Sequence, residues 1–262
     1  MLDGFETTMI ESAENRGLAK SIIAGVGELC EKYGRVIVVE DDLAVSSSFL
    51  AYMNAALDRY AGNDQVFQVS GYMFPVDRPR ADKALFLPFT TSWGWATWSR
   101  AWKKFDHAGC GIEVLRKDRC LRRRFDLGGA YPYYAMLRRQ GAGRVDSWAI
   151  RWYLSVFLNN GLVLYPATSH VRNNGFDGSG ENCGDMGAVV FPGVACESVI
   201  EGNPERFPDE LVIDDAAFGQ VASYLRKAQR RVVMASMSRK LSRFIPAFWK
   251  RSDVARDSSV RA

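Results

Sequence analysis

Apolar residues recur at helical spacing through Leu18, Ile22, Ile23, Val26 and Leu29, which predicts a helix over residues 15–33, opened by Asn15 and ended by Gly34. The chain then switches to a short β-branched run, Arg35-Val36-Ile37-Val38-Val39, whose length and flanks fit a buried parallel strand. Three acidic residues, Glu40-Asp41-Asp42, follow at its carboxyl end. Ser46-Ser47-Ser48 offers caps for a second helix, Phe49 to Tyr60, with Leu50, Met53, Asn54 and Leu57 at helical spacing. Gln65 to Gly71 reads as a second strand. Helix, strand, acidic loop, helix, strand is the order of an α/β protein with an open, mostly parallel sheet flanked by helices, Rossmann-like in its organisation.

Beyond Gly71 the pattern loosens. Met73 to Phe89, with Pro75, Pro79 and Pro88, reads as loop, and Ser92 to Trp102 packs four of the seven tryptophans into eleven residues. Residues 113–127 read as a charged helix, Tyr131–Gln140 and Trp148–Leu158 as two more, and Gly161–Pro166 as a strand. Asn173 to Gly187, with five glycines, has too little side chain to be core. From Gly219 to Trp249, Leu225, Val233, Met237, Leu241, Phe244 and Phe248 fall near helical spacing among Arg226, Lys227, Arg230, Arg231, Arg239, Lys240 and Arg243. That predicts a basic amphipathic C-terminal helix kinked or stopped at Pro246. Residues 1–215 and 216–262 are thus expected to be an α/β domain and a basic tail.

Composition narrows the classes. The chain has 262 residues, 47% hydrophobic and 24% charged, which is ordinary for a globular protein with a core large enough to need no staple. No run of 18 apolar residues occurs, and the first residues lack the apolar stretch of a secretory signal. Five cysteines without a CxxC pair read as reduced thiols in a cytosolic protein. Two histidines leave metal chemistry to carboxylates, which favour hard ions such as Mg²⁺ or Mn²⁺. The net charge of +4 is asymmetric: residues 216–252 carry nine Lys or Arg and no acid, 253–262 balance, and residues 1–215 therefore carry −5. A basic tail on an acidic body suggests contact with an anionic surface more than with nucleic acid. Packing of that helix on its own domain is the plain alternative.

The acidic triplet carries the most information. Adjacent carboxylates repel, strand packing does not ask for them, and a divalent cation relieves the repulsion while keeping sites open for substrate phosphates. Ligands in open α/β sheets bind beyond the carboxyl ends of the strands, where this triplet lies. A solvated acidic turn is the other reading. Asn15-Arg16-Gly17 opens the first helix as either a phosphate-receiving or a plain helix start. The tryptophans serve either a sugar's flat apolar face or the core, and Asp146 either chemistry or an N-cap for the helix at Trp148.

The run Arg35-Val36-Ile37-Val38-Val39-Glu40-Asp41-Asp42-Leu43 resembles the strand and acidic motif of GT-A glycosyltransferases, and is most similar to bacterial sugar transferases related to the N-acetylglucosaminyltransferase I group. The resemblance continues through Phe49–Asn54, Val69-Ser70-Gly71-Tyr72, Ser92–Trp98, Asp146-Ser147-Trp148-Ala149 and Asn174–Gly180, about residues 10 to 185 in all. It implies a GT-A-like sheet and transfer of a sugar from a nucleotide-sugar, a UDP-sugar first, to a glycan or lipid-linked acceptor in cell-surface polysaccharide synthesis. It places Asp42 on the Mn²⁺ or Mg²⁺ ion and Glu40 and Asp41 at the ribose or donor sugar. Arg16, Gly17, Trp93, Gly94, Trp95 and Gly178 would also meet the donor, and Asp146 would be the catalytic base; no acceptor residue is assigned. GT-A domains open with a strand–helix unit that the 14 residues before Asn15 do not supply. A catalytically inactive carbohydrate- or nucleotide-binding relative is therefore the alternative, and a nucleotidyltransferase or phosphohydrolase the weakest reading. The tail, through residues 220–251, would hold the enzyme at the inner face of the plasma membrane.

Overall fold

The structure, a computed structural model, describes residues 6–77, 83–175 and 206–244, the last ten of these as backbone alone. Helix α1 (Leu18–Tyr33) starts later than the apolar spacing predicts, because Gly17 has φ 76° and cannot belong to the helix; Asn15 Oδ1 accepts from Gly17 N instead of capping the first turn. Its buried stripe is Ala19, Val26 and Cys30, with Ile22 and Ile23 half-covered and Leu18 and Leu29 left exposed. Gly34, in the left-handed conformation, turns the chain back into β1 (Arg35–Val38). A short β2 (Leu43–Val45) leads to α2 (Phe49–Arg59), then β3 (Val66–Ser70), whose five residues are all buried.

The expected loop between Met73 and Phe89 contains β4 (Leu85–Leu87), and the tryptophan segment forms β5 (Trp95–Trp98) and α3 (Ser99–Trp102). The single helix expected over 113–127 is two, α4 (Ile112–Lys117) and α5 (Arg119–Phe125). Asp118 separates them in an extended conformation and its carboxylate accepts from Leu121 N, capping α5. A 3₁₀ turn (Leu127–Gly129), α6 (Tyr133–Gly141), α7 (Trp148–Leu158), β6 (Leu162–Tyr165), β7 (Val171–Asn173) and the long α8 (Asp215–Phe244) complete the fold.

The main sheet has the order β1-β5-β3-β6-β4, and β2 pairs with β7 in a separate two-stranded ribbon. The fold is mixed α/β, but the expectation of a mostly parallel sheet is corrected: only β3–β6 is parallel, while β1–β5, β5–β3 and β6–β4 are antiparallel. Two strands cause this: β4, antiparallel to β6 at one border, and β5, inserted between β1 and β3 and running against both. All four of its residues are buried, and a strand covered on both faces has no alternation to betray its direction. Strands β1, β3 and β6 still run the same way, so their carboxyl ends share one edge of the sheet.

Helix α7 fills the groove over β5 and β3. Trp148 stacks on Trp95 with ring centroids 5.0 Å apart, and Trp152 Nε1 donates 2.7 Å to the buried Gln68 Oε1, whose amide nitrogen donates to Thr91 O. Helix α8 begins at Asp215 rather than Gly219, with Asp214 Oδ1 accepting from Ala217 N. Its first half buries Ala217, Val221, Ala222, Leu225 and Ala228, a face of mostly small side chains that lets it lie close to the domain. Beyond Ala228 the cover ends: Val233 is 53% and Met234 70% exposed. No helix among the described residues is long and apolar enough to cross a membrane.

Candidate functional site at the carboxyl edge of the sheet

Past Val38 the chain turns through the three carboxylates, closed by Leu43 N donating to Glu40 O at 3.2 Å. The β2–β7 ribbon then clamps the turn: Leu43 pairs with Asn173, and Asn174 N donates 2.8 Å to Asp42 O. Buried Asn173 turns its amide oxygen to accept from Gly175 N at 2.7 Å. This fixes Asp42 under the start of the 175 loop. A side chain on Gly175 would put its Cβ 2.6 Å from Asp42 Oδ2, so only glycine leaves the carboxylate its place. Asp42 Oδ1 is buried without a hydrogen-bond partner among the described residues. A buried, unpaired carboxylate oxygen costs free energy unless a ligand completes it.

Glu40 feels the same crowding. Burial first, then the charges of Asp42 and Asp41, push its carboxyl up to about 7. Among the described residues no three His, Cys, Asp or Glu side chains converge into a ready-made cation cage. The one observation here that suits a cation is Asp42 itself, whose unpartnered oxygen is a hard donor of the kind Mg²⁺ and Mn²⁺ take.

Behind the ribbon lies a group that sequence reasoning missed. Ser46 Oγ and Ser48 Oγ lie 3.0 and 3.2 Å from Nδ1 of buried His170, which stacks on Tyr52 at 4.7 Å. The main chain of residue 170 ties three segments together: Ser46 N donates to His170 O, and His170 N donates to Gly71 O. The serines expected to cap α2 are thus committed to His170; Ser48 occupies the cap position but makes no side-chain cap. Serines three in a row before a helix read as caps, and nothing in the sequence links them to a histidine 124 residues away.

The tryptophan segment divides. Trp95 is fully buried among Trp102, Trp148 and Trp152, so its expected place against a sugar is corrected: it belongs to the core. Gly94 is also corrected. It has φ +55°, but the space where its Cβ would stand is filled by Val171 Cγ1 at 2.7 Å and Phe49 at 3.1 Å, and its carbonyl accepts from Gly71 N at 2.6 Å. The close approach that glycine permits is to the protein itself. Trp98 and Trp102 are buried too. Trp93 is half-buried. It meets Tyr72 edge-on at 4.7 Å and lines a cavity of about 180 Å³ with Tyr72, Thr91, Tyr131, Tyr133 and Ser147.

Asp146 borders this cavity through its neighbour. The cap of α7 is Ser147, which accepts from Ile150 N at 3.5 Å, so the capping alternative for Asp146 falls away. Asp146 is exposed and held by Arg151 at 2.9 Å, a guanidinium also bound to His107 O and Ser147 O. Arg16 and Gly17 sit exposed at the start of α1, and no described hydrogen bond or ion pair joins Arg16 to the acidic turn. Gly178, Cys183 and Cys196 lie outside the described residues, as does the chain beyond Phe244. The described cysteines, Cys30, Cys110 and Cys120, are free thiols. No protein-family model matches the chain, and no curated protein matches it either.

Proposed function

We propose that the chain is a metal-dependent glycosyltransferase that moves a sugar from a nucleotide-sugar, a UDP-sugar first, to a hydroxyl of a glycan or lipid-linked acceptor. The observation that carries this reading is Asp42: a carboxylate clamped at the carboxyl edge of the sheet, with one oxygen buried and unpartnered and a glycine making room for the other. Asp42 would hold Mn²⁺ or Mg²⁺, with Glu40 and Asp41 toward the ribose or donor sugar. The chemistry such an ion supplies is neutralisation of charge on the departing nucleoside diphosphate. Asp146 is the candidate base, oriented by Arg151, and Trp93 with Tyr72 offers an aromatic wall to a sugar ring beside it.

Calorimetric titration with UDP, with and without Mn²⁺, tests the site. Metal-dependent binding that Asp42→Ala abolishes, in a protein that still melts cooperatively, supports the reading; binding that survives Asp42→Ala refutes it. A second reading, an inactive carbohydrate- or nucleotide-binding relative, is favoured by the loss of Trp95 and Gly94 to the core. Metal-dependent UDP binding with no transfer or donor hydrolysis across a panel of nucleotide-sugars would select it.

A further inference from the structure

Two cavities far from the acidic turn share one wall. The first, about 610 Å³, opens at the amino end of β6, the opposite end of that strand from the candidate site. Arg123 and Arg124 of α5 stand over its apolar floor of Leu127, Phe157, Leu162 and Phe218. The second, about 750 Å³, lies between the 3₁₀ turn and α8, where Arg226 and Arg230 flank Pro132, Val233 and Met234. The 3₁₀ turn and its cap separate them, giving Leu127 and Gly128 to one and Gly129 and Ala130 to the other.

The four guanidiniums are exposed, and none belongs to a described ion pair; Arg124 rests on the Phe157 ring at 5.8 Å. Exposed Arg119, Lys227 and Arg231 extend the charge. Each cavity has one carboxylate. Asp126 is occupied by Tyr134 N at 2.7 Å, and Asp215 sits in the first turn of α8, where the helix dipole favours it. The face therefore combines an excess of unpaired arginines with two large aliphatic side chains held out in solvent.

We propose that this face docks the protein on an anionic lipid bilayer, with Arg123, Arg124, Arg226 and Arg230 at the lipid phosphates and Val233 and Met234 in the interfacial layer. The contact is then not the C-terminal helix alone but a surface it shares with α5 of the folded domain, and it does not depend on the enzyme reading. Charge complementarity selects the bilayer, and the exposed aliphatics select it over nucleic acid, whose single strands ask for aromatic stacking.

The test is co-sedimentation of the full chain with vesicles of phosphatidylcholine alone or with phosphatidylglycerol added. Binding to the anionic vesicles only is expected. Arg123→Gln/Arg124→Gln and Arg226→Gln/Arg230→Gln should each weaken partitioning by about 25-fold, at about fivefold per cation near an anionic leaflet. Val233→Trp should report a blue-shifted emission on anionic vesicles and none on neutral ones. Equal binding to both vesicle types, or unchanged partitioning of Arg123→Gln/Arg124→Gln, overturns the proposal. Tighter binding to single-stranded RNA that both double variants lose overturns it in favour of a nucleic-acid surface.

Discussion

Gly175→Ala is the most informative single substitution. Gly175 does not have positive φ, so alanine meets no backbone penalty there; the cost is contact. The new methyl would stand 2.6 Å from Asp42 Oδ2 and 3.3 Å from Asp42 Cβ, with Asn173 Oδ1 at 3.2 Å. Ordinary contact begins near 3.4 Å, so the carboxylate must retreat by about 0.8 Å. Metal–oxygen distances tolerate only about 0.2 Å, and displaced supporting groups typically cost 10- to 100-fold in metal affinity. The expected result is a loss of at least about tenfold in Mn²⁺-dependent UDP binding, with the global fold weakened by no more than about 1 kcal/mol. A double-mutant cycle with Asp42→Ala sharpens it. If the methyl acts mainly by moving the Asp42 carboxylate, the melting loss caused by Gly175→Ala shrinks in the Asp42→Ala background to what the remaining contacts with Asn173 Oδ1 and the Cβ of residue 42 cost. Additive losses, or undiminished binding by Gly175→Ala alone, would refute the geometric argument.

Three other substitutions and reactions read different parts of the fold. Trp95→Ala should destabilise by about 3–5 kcal/mol in urea titration, as expected for a fully buried tryptophan, and leave donor affinity of the folded fraction unchanged; a selective loss of donor binding would return Trp95 to the site. Arg100 donates to the carbonyls of Tyr60, Ala61 and Val66 while stacking on Trp98, so Arg100→Lys should leave two part-buried carbonyls short of a donor and cost about 1–2 kcal/mol by denaturant midpoint; an unchanged midpoint would show the three bonds to be idle. Burial pushes the Cys30 thiol up to about 11, so iodoacetamide at pH 8 should label Cys110 and Cys120 in the native protein and reach Cys30 only after denaturation. The same shift has a definite sign for stability. The folded chain keeps a proton that the unfolded chain releases near pH 9, so the wild type should lose about 1.4 kcal/mol per pH unit more than Cys30→Ala as pH climbs from there toward 11.

Elements with a private signal were legible in the sequence. Helices α2 and α7 and strands β1, β3 and β6 stand where periodicity and glycine placed them, because each carries enough turns or β-branched residues to declare itself. Strands β2, β4 and β7 have three residues each, too few for any period to be counted, and β4 is hidden between prolines. β5 was visible only as a concentration of tryptophan, and its direction, which makes two of the sheet's four pairings antiparallel, leaves no mark on a segment buried on both sides. The site divides the same way. The acidic triplet is a local motif and was found; the oxygen left bare on Asp42, the glycine that shelters it and the histidine behind it are consequences of a ribbon joining residues about 130 apart. Gly94 and Trp95 misled because a glycine and an aromatic ring satisfy a ligand or a neighbouring backbone by the same geometry.

Strand β1 forms one border of the five-stranded sheet, with β5 on one side and no strand on the other among the described residues. Natural sheets blunt such borders with charge, proline or a covering helix. Here the strand itself is Arg35-Val36-Ile37-Val38, with exposed Tyr33 and Val39 flanking it in the chain. Among the described residues no strand pairs with the outer amides and carbonyls of this four-residue ladder, so an extended segment of matching length, from a neighbouring polypeptide or another copy, could add there. That makes the border beside the acidic turn a nucleus for growth of the sheet and the first place to add charge, for example at Val39, when the protein is to be kept monodisperse.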